Sequence, residues 1–369
     1  MTKLTDLCDI QYGYAFDSGA FTDDDSYPQL VRIRDVKRGY SETFYNGDYP
    51  EEYVLSAGDL LIGMDGEFNI ARWKVDGALL NQRVCKVVAK ENADEEFLRF
   101  ALSKSLKAIE DRTSFATVKH LSAKELNKLE IPVPSYDEQK KIAEILHCLE
   151  GVIESRRNEL DLLDELIKAR FVELFGDQES NPFGFKKVTI GDCCIFKSGT
   201  SLPADKENEG GNIPYVKVGD MNFPGNEMYI TTSSRYVSEE TAGKGLFEVG
   251  TVIFPKRGGA IGTNKKRMTT LPICADLNVM GVSSKGELLP EYLLAYFDDI
   301  DMGALSDGSS VPQINNKNIA PLTILIPPIE LQKEFVLFIK QVDKSKVAVQ
   351  KALDDTQLLF DSLMQDYFG

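Results

Sequence analysis

Apolar residues recur in alternating steps of four and three at Ile142, Leu146, Leu149, Ile153, Leu160, Leu163, Ile167 and Leu174. The same pattern returns at Phe335, Ile339, Val342, Val349, Leu353, Phe360, Leu363 and Tyr367. Such spacing lays one apolar stripe along a helix and predicts two long helices, each with a coiled-coil seam. The stretches begin alike at Gln139 and Gln332 and end alike at Phe175-Gly176 and Phe368-Gly369, offset by 193 residues throughout. A gapless repeat of that length points to a duplicated architecture. Each stretch follows a proline stop, Ile131-Pro132-Val133-Pro134 or Ile326-Pro327-Pro328, and carries an acid near its start, Asp137 or Glu330. Both are helix-start signals. A helix over 139–175 spans on the order of 55 Å. Arg156 interrupts the first seam where the second has Val349, while Lys346 and Thr356 interrupt the second where the first has Ile153 and Leu163. Two equal rods in one chain can cover each other's stripes, which predicts an antiparallel coiled coil within the chain; a plain dimerisation coil is the alternative.

The helices divide the chain into a globe over 1–135, a helical region over 136–176, a second globe over 177–325 and a second helical region over 326–369. The globes repeat more weakly. Leu4-Thr5-Asp6-Leu7-Cys8-Asp9-Ile10 matches Ile190-Gly191-Asp192-Cys193-Cys194-Ile195-Phe196, and Leu30-Val31-Arg32-Ile33-Arg34-Asp35-Val36 parallels Tyr215-Val216-Lys217-Val218-Gly219-Asp220-Met221. Ala57-Gly58-Asp59-Leu60-Leu61-Ile62 pairs with Val249-Gly250-Thr251-Val252-Ile253-Phe254. Short alternating or apolar runs bounded by glycine and proline read as strands. Helical patterns fall mainly at 95–111 and 290–299. The predicted fold class is α+β: two mixed α/β globes joined by two long helices, with an internal pseudo-two-fold repeat.

At 369 residues, 43% hydrophobic and 27% charged, the composition is that of a globular protein. The start has no apolar segment after Lys3, and no run of about 18 uncharged apolar residues occurs, so a cytoplasmic protein with no membrane partner is expected. Cys8, Cys85, Cys148, Cys193, Cys194 and Cys274 form no Cys-x-x-Cys pair, and His120 and His147 are the only histidines. Reduced, buried thiols and no metal site are expected. The net charge of −16 argues against general nucleic-acid adhesion, which rests on Lys and Arg neutralising phosphates. The acid is spread over all four segments, so any basic face must come from folding.

The divergent segments between the matched strands carry the candidate chemistry. Residues 256–267 hold Lys256, Arg257, Lys265, Lys266 and Arg267 with no acid among them, interleaved with glycines that allow close backbone approach to a ligand. That cluster suits phosphates or guanine edges; a solvated hairpin tip is the plainer reading. The corresponding segment 64–74 is less basic, with Asp65 and Glu67 able to accept from cytosine amino groups and Arg72 and Lys74 able to hold backbone. Arg32, Arg34, Lys37 and Arg38 form a second basic strip, with Arg32 and Arg34 on one face if the run is a strand. No phosphate-cradling loop, dinucleotide fingerprint or Ser-His-Asp set is present. Asn181-Pro182-Phe183 lacks the second proline of the amino-methyltransferase signature, and Glu138-Gln139-Lys140 loses its acid in the second copy, Leu331-Gln332-Lys333. The residues alone therefore indicate a non-catalytic, two-headed binding protein with no cofactor.

Pro134 to Ile142 with its Glu-Gln-Lys-Lys run, the close at Phe175-Gly176-Asp177, the following Asn181-Pro182, and Lys187-Val188-Thr189-Ile190-Gly191-Asp192, together with their repeats, resemble the specificity (S) subunits of type I DNA restriction-modification systems. The resemblance covers essentially the whole chain, although the second helix begins Ile329-Glu330-Leu331-Gln332 without the Glu-Gln pair. It implies two target-recognition domains, each reading one half of a split, asymmetric site in double-stranded DNA. It also implies a coiled coil that fixes the spacer, with two methyltransferase subunits docked on the chain and restriction subunits joining them. On that resemblance Lys256, Arg257, Lys265, Lys266 and Arg267 hold one half-site with Asn264 as a base reader, and Arg32, Arg34, Arg72 and Lys74 hold the other. Thr117 and Lys119, and at matching positions Ser310 and Gln313, also face DNA. The competing expectations are a coiled-coil adaptor that binds only protein and a fused single-chain enzyme.

Overall fold

The structure is a computed structural model that describes residues 1–112 and 119–369, with all their side chains but that of Lys244. Two compact units are present: Met1–Asn158 with Val349–Gly369, and Glu159–Ala348. Two 40-residue helices, Tyr136–Phe175 and Ile329–Phe368, each contribute one part to either unit.

In the first unit an antiparallel sheet has the order Cys8–Tyr12, Val84–Ala89, Leu60–Gly63, Ile70–Arg72. Alternation along the strand Leu60–Gly63 decides the two faces. Leu60 and Ile62 join the cluster beneath helix Glu95–Arg112, with Phe97, Leu98, Ala101 and Leu102, while Leu61 packs on the other face with Val31, Trp73 and Leu80. The second unit repeats this frame as Cys194–Ser198, Val279–Ser284, Val252–Pro255, Arg267–Thr269, extended by Tyr229–Ile230. Val252 and Phe254 face the cluster that includes Tyr292, Leu293 and Phe297 of helix Pro290–Asp298, and Ile253 faces the opposite cluster with Val216 and Phe247.

One expected strand is absent. Residues 30–36 make a single isolated bridge, Leu30 to Leu79, and then a 3₁₀ turn, Ile33–Asp35, because Asp35 Oδ2 accepts from the Arg32 backbone N–H at 3.1 Å. In the second unit the strand Ile213–Val216 forms, and the same device then ends it: Asp220 Oδ2 accepts from Lys217 N at 2.7 Å and opens the 3₁₀ turn Val218–Asn222. A carboxylate three residues on competes with the sheet for the backbone donor. The runs 4–7 and 190–193 likewise close into single helical turns, Leu4–Leu7 and Ile190–Cys193, before their strands begin. Of the six cysteines, Cys148 on the first long helix is exposed and the other five are buried.

Within each unit the parts of the two long helices run antiparallel. In the first, Leu146 is fully buried with Phe100 and Met364, Phe97 meets Phe368 at 5.3 Å between ring centres, and Arg157 bonds Gln357 at 3.4 Å. In the second, Phe171, Phe175, Tyr292 and Phe335 pack edge to face or tilted at 4.7 to 5.5 Å, a geometry suited to the ring quadrupoles. None of the apolar seam positions read from the sequence is exposed. The polar interruptions are accommodated locally: Lys346 pairs with Asp164, and Thr356 Oγ1 donates to the Ala352 carbonyl at 2.7 Å.

The repeated glutamines that mark the helix starts do one job twice. Gln139 is 1% exposed; its Nε2 donates to the Asn92 and Pro134 carbonyls at 3.2 and 3.1 Å, and its Oε1 accepts from Asp94 N at 2.9 Å. Gln332 is 0% exposed; its Nε2 donates to the Glu287 and Pro327 carbonyls at 3.1 and 2.9 Å, and its Oε1 accepts from Leu289 N at 2.7 Å. Each amide therefore ties the start of a long helix to the turn that opens the shorter helix of its globe. Replacing either glutamine with alanine strands buried backbone groups, so Gln139→Ala and Gln332→Ala should each lose about 2–3 kcal/mol of stability in chemical denaturation. A loss below about 0.5 kcal/mol would show that water replaces the amide.

Candidate nucleic-acid interface

In the second unit the strand Val252–Pro255 leads into the basic segment and returns through Arg267–Thr269. A 3₁₀ turn, Gly259–Thr263, ends at Asn264, whose φ of +54° is left-handed, and Asn264 Oδ1 accepts from Met302 N at 2.9 Å. Asparagine tolerates that conformation and here closes the loop. Lys266 is 4% exposed and donates to the Ile300 carbonyl at 2.7 Å; burial lowers its pKa against the pull of Asp298, Asp301 and Asp299. Arg267 donates to the Lys266 and Met221 carbonyls at 2.7 and 3.2 Å. Asn264, Lys266 and Arg267 thus build the loop.

The remaining cations of the segment face outward. Lys265 reaches Asn222, and Lys256 donates to Ser198 Oγ at 2.9 Å, its pKa lowered by burial and by the neighbouring Arg257. Arg257 is exposed, and its guanidinium has no partner among the described residues. A backbone bridge sets Arg257 opposite Gln313, while Ser310 is exposed in the preceding turn. The structure therefore brings Arg257 and Gln313 together.

In the first unit Arg72 is committed to its own protein: Nη1 lies 2.8 Å from Glu95 Oε1 and 2.7 Å from the Gly58 carbonyl, and Nε pairs with Glu96. Burial works against the charges, but pairing with Glu96 and Glu95 keeps Arg72 above its usual range, and Arg99 together with Arg72 keeps Glu96 below its own. Lys119 is held 3.0 Å from Glu110, and Thr117 lies outside the described residues. Lys74 is exposed with its stem against Gly39, a glycine at φ +79°. Arg32 and Arg34 both line one cleft of about 440 Å³ together with Phe16, Phe21 and Arg83. The 3₁₀ turn gives them a common side that the expected strand would also have given.

Sequence reasoning did not single out Arg83, nor His120 as a partner of Asp65. His120 sets Nδ1 against the Asp65 carboxylate, and Arg83 Nη1 lies 3.6 Å from the same carboxylate oxygen. The signal for Arg83 in the sequence is the polar trio Asn81-Gln82-Arg83 standing between two buried apolar runs; His120 has no such local signal. Chemically, both segments offer hydrogen-bond donors and acceptors on short loops fixed by a sheet, which suits recognition of base edges and phosphates. Among the described residues no cluster of His, Cys, Asp or Glu could hold a metal ion, and no helix is long and apolar enough to cross a membrane.

A family model described as "Type I restriction modification DNA specificity domain" matches twice, over residues 1–164 and 182–356. The chain is 40% identical over 167 residues to the type I restriction enzyme EcoBI specificity subunit of Escherichia coli, a match covering 45% of this chain and 35% of that one. It thus spans about a third of that relative's length. It is also 22% identical over 312 residues to the MjaIX specificity subunit of Methanocaldococcus jannaschii, covering 77% and 70% of the two chains. Among solved structures it is similar to the type I restriction-modification S subunit from M. genitalium, with a TM-score of 0.58 at 16% identity over 100% of this chain and 95% of that one. A chain from a structure of the assembly and conformational transition of the type I R-M system gives 0.59 at 19% identity over 99% and 96%. These likenesses establish a shared fold.

The sorting of cations has a direct consequence for stability. Lys266→Met removes a buried donor and should cost about 1–3 kcal/mol, whereas Arg257→Ala should stay within about 0.5 kcal/mol of the native chain in denaturant titrations. Equal losses in the two variants would contradict the division into loop-building and presented cations.

Proposed function

This chain belongs to the family of type I restriction modification DNA specificity domains, and we propose that it reads a bipartite, asymmetric site in double-stranded DNA without carrying out chemistry itself. Each unit reads one half-site. Methyltransferase and restriction subunits that dock on the chain supply the reactions, and the assembly works in the cytoplasm. The observation that carries this reading is the repeated sheet with unlike loops: one frame, built twice, presents different side chains from corresponding segments. Recognition of two different words by one protein needs that combination.

Within this reading Arg257, Lys256, Lys265, Ser310 and Gln313 approach one half-site and Arg32, Arg34, Lys74 and Thr117 the other, while Lys119 is held by Glu110. Arg72, Asn264, Lys266 and Arg267 act by holding the loops in shape, since each already bonds within its own unit: Arg72 to Glu95, Asn264 Oδ1 to Met302 N, Lys266 to the Ile300 carbonyl, and the Arg267 Nη atoms to the Lys266 and Met221 carbonyls. The long helices act as the ruler, because a helix has a fixed rise of about 1.5 Å per residue. Leu162, Leu166, Leu337 and Val347 are exposed along them, which suits docking of partner subunits. A protein-only adaptor would leave the free Arg257 without a purpose.

Methylation-sensitive sequencing of DNA from cells that express the chain with its methyltransferase should reveal a bipartite modified motif; the absence of any new motif would sink the reading. Arg257→Ala should weaken binding to the full site by about 1–3 kcal/mol, with the preference relaxed in one half only. A short helical insertion made at equivalent places in both long helices should lengthen the unread spacer and leave both half-sites intact. Altered half-sites with an unchanged spacer would remove the ruler.

A further inference from the structure

The two sheets coincide at one more place, where the loop after the central strand meets the segments that precede two other strands. In the first unit Met64 N donates to the Arg83 carbonyl at 2.8 Å, Leu121 N to the Met64 carbonyl at 2.7 Å and Gly66 N to the Lys119 carbonyl at 2.9 Å. In the second, Lys256 N donates to the Asn278 carbonyl at 2.8 Å, Ile314 N to the Lys256 carbonyl at 2.9 Å and Gly258 N to the Pro312 carbonyl at 2.8 Å. An isolated bridge joins Asp65 to His120 in one unit and Arg257 to Gln313 in the other. The backbone hydrogen bonds therefore correspond one for one, matching Asp65 with Arg257, Arg83 with Asn278, and His120, rather than the expected Lys119, with Gln313.

The side chains at this crossing do not match. Where the two units share a structural need they share a residue, as with Gln139 and Gln332, Asp35 and Asp220, or Gly13 and Gly199, whose Cβ positions would each fall 2.0 Å from a backbone oxygen. At the crossing a carboxylate in one unit stands where the other has a guanidinium, on the same backbone. The frame therefore does not dictate either one. Arg83 adds a second sign of function: its φ of +70° is left-handed, a conformation that a long L side chain rarely adopts, while Asn278 is not among the residues with positive φ. The sheet does not require that strain, and its effect is to set a guanidinium beside Asp65 and on the wall of the cleft that holds Arg32 and Arg34.

We propose that this crossing is a base-reading position in each unit, and that the two units read different bases there. Asp65, backed by Arg83 and His120, accepts from the exocyclic amino group of a cytosine; one oxygen is anchored, and Oδ2 accepts no hydrogen bond from the described residues. Arg257 donates as a fork to O6 and N7 of a guanine, with Gln313 beside it. Asn278, whose amide donates to Asp276 at 2.7 Å, takes no direct part. The proposal rests on the function argued above and names the pair of residues that makes the two half-sites unlike.

Selection from random-sequence duplex DNA by the full chain assembled with its methyltransferase subunits tests it. The native chain should enrich two half-sites. Asp65→Asn should change the preferred base at one or two adjacent positions of one half only, and Arg257→Gln should do so in the other half only. Each should lower discrimination there roughly ten- to a hundred-fold. Arg257→Lys should keep most of the affinity and lose the guanine preference, because a lysine lacks the planar fork. Unaltered base preferences in all three variants, or a uniform weakening over every sequence, would overturn the proposal while leaving the native bipartite motif, and so the function, in place. If the native chain enriches no bipartite motif, the function fails and this inference with it. Arg257 is exposed and unpartnered, so its variants keep the test decisive even where Asp65→Asn does not fold.

Discussion

Everything in this chain hangs on how a long helix is fixed to a globe, and two buried amides do that. A primary amide offers two donors and one strong acceptor in a plane, and Gln139 and Gln332 each use both functions against backbone groups of a turn that would otherwise be orphaned in the core. Because the bonds run to backbone, they survive divergence of the surrounding side chains. The direction in which the helix leaves the globe is then set by geometry shared between the two units. Apolar packing alone would tolerate rotation about the helix axis; three directed bonds at its first turn do not.

The parts of the structure that were legible in the sequence are those governed by periodicity. Seam residues such as Leu146, Ile153, Phe335 and Ile339 are buried, and helices read at 95–111 and 290–299 appear as Glu95–Arg112 and Pro290–Asp298. Where the expected strand failed, the cause is local. At 30–36 the alternating pattern suggested a strand, but Asp35 took the donor that a neighbouring strand would have needed. A side chain that hydrogen-bonds three residues back leaves no trace in hydrophobic periodicity. The aromatic cluster around Phe171 and Phe175 was not read from the stripe, where Phe175 marked only the end of the repeat, and Tyr292 reaches it from a different helix.

The candidate interface was legible in composition and not in role. Five cations in twelve residues announced a special segment, yet charge density says nothing about which ones are spent inside the protein. Lys266 and Arg267 are drawn to carbonyls, and Arg72 to Glu95 and Glu96, because a partly buried cation without a partner costs several times what an exposed one does. Partner geometry is long-range in sequence, 34 residues for Lys266 and Ile300. The trio Asp65, Arg83 and His120 illustrates the same limit, since its members are scattered over more than fifty positions and meet only when the sheet forms.

This partition also reconciles an acidic chain with the proposed DNA-reading role. A net charge of −16 spread over both units repels phosphate at long range, and the acids nearest the loops neutralise the cations that build them. What remains outward is a small set of free or lightly held groups, among them Arg257, Lys256, Lys74, Arg32 and Arg34. Few phosphate contacts mean weak non-specific binding and a shallow dependence on salt. Affinity must then come from directed contacts at the right sequence, so discrimination is gained partly by giving up background attraction. On the proposed function, a basic protein of the same fold would bind everywhere first and choose later, whereas an acidic one, with most of its loop cations already paired, would hold on mainly where its few free side chains find matching base edges.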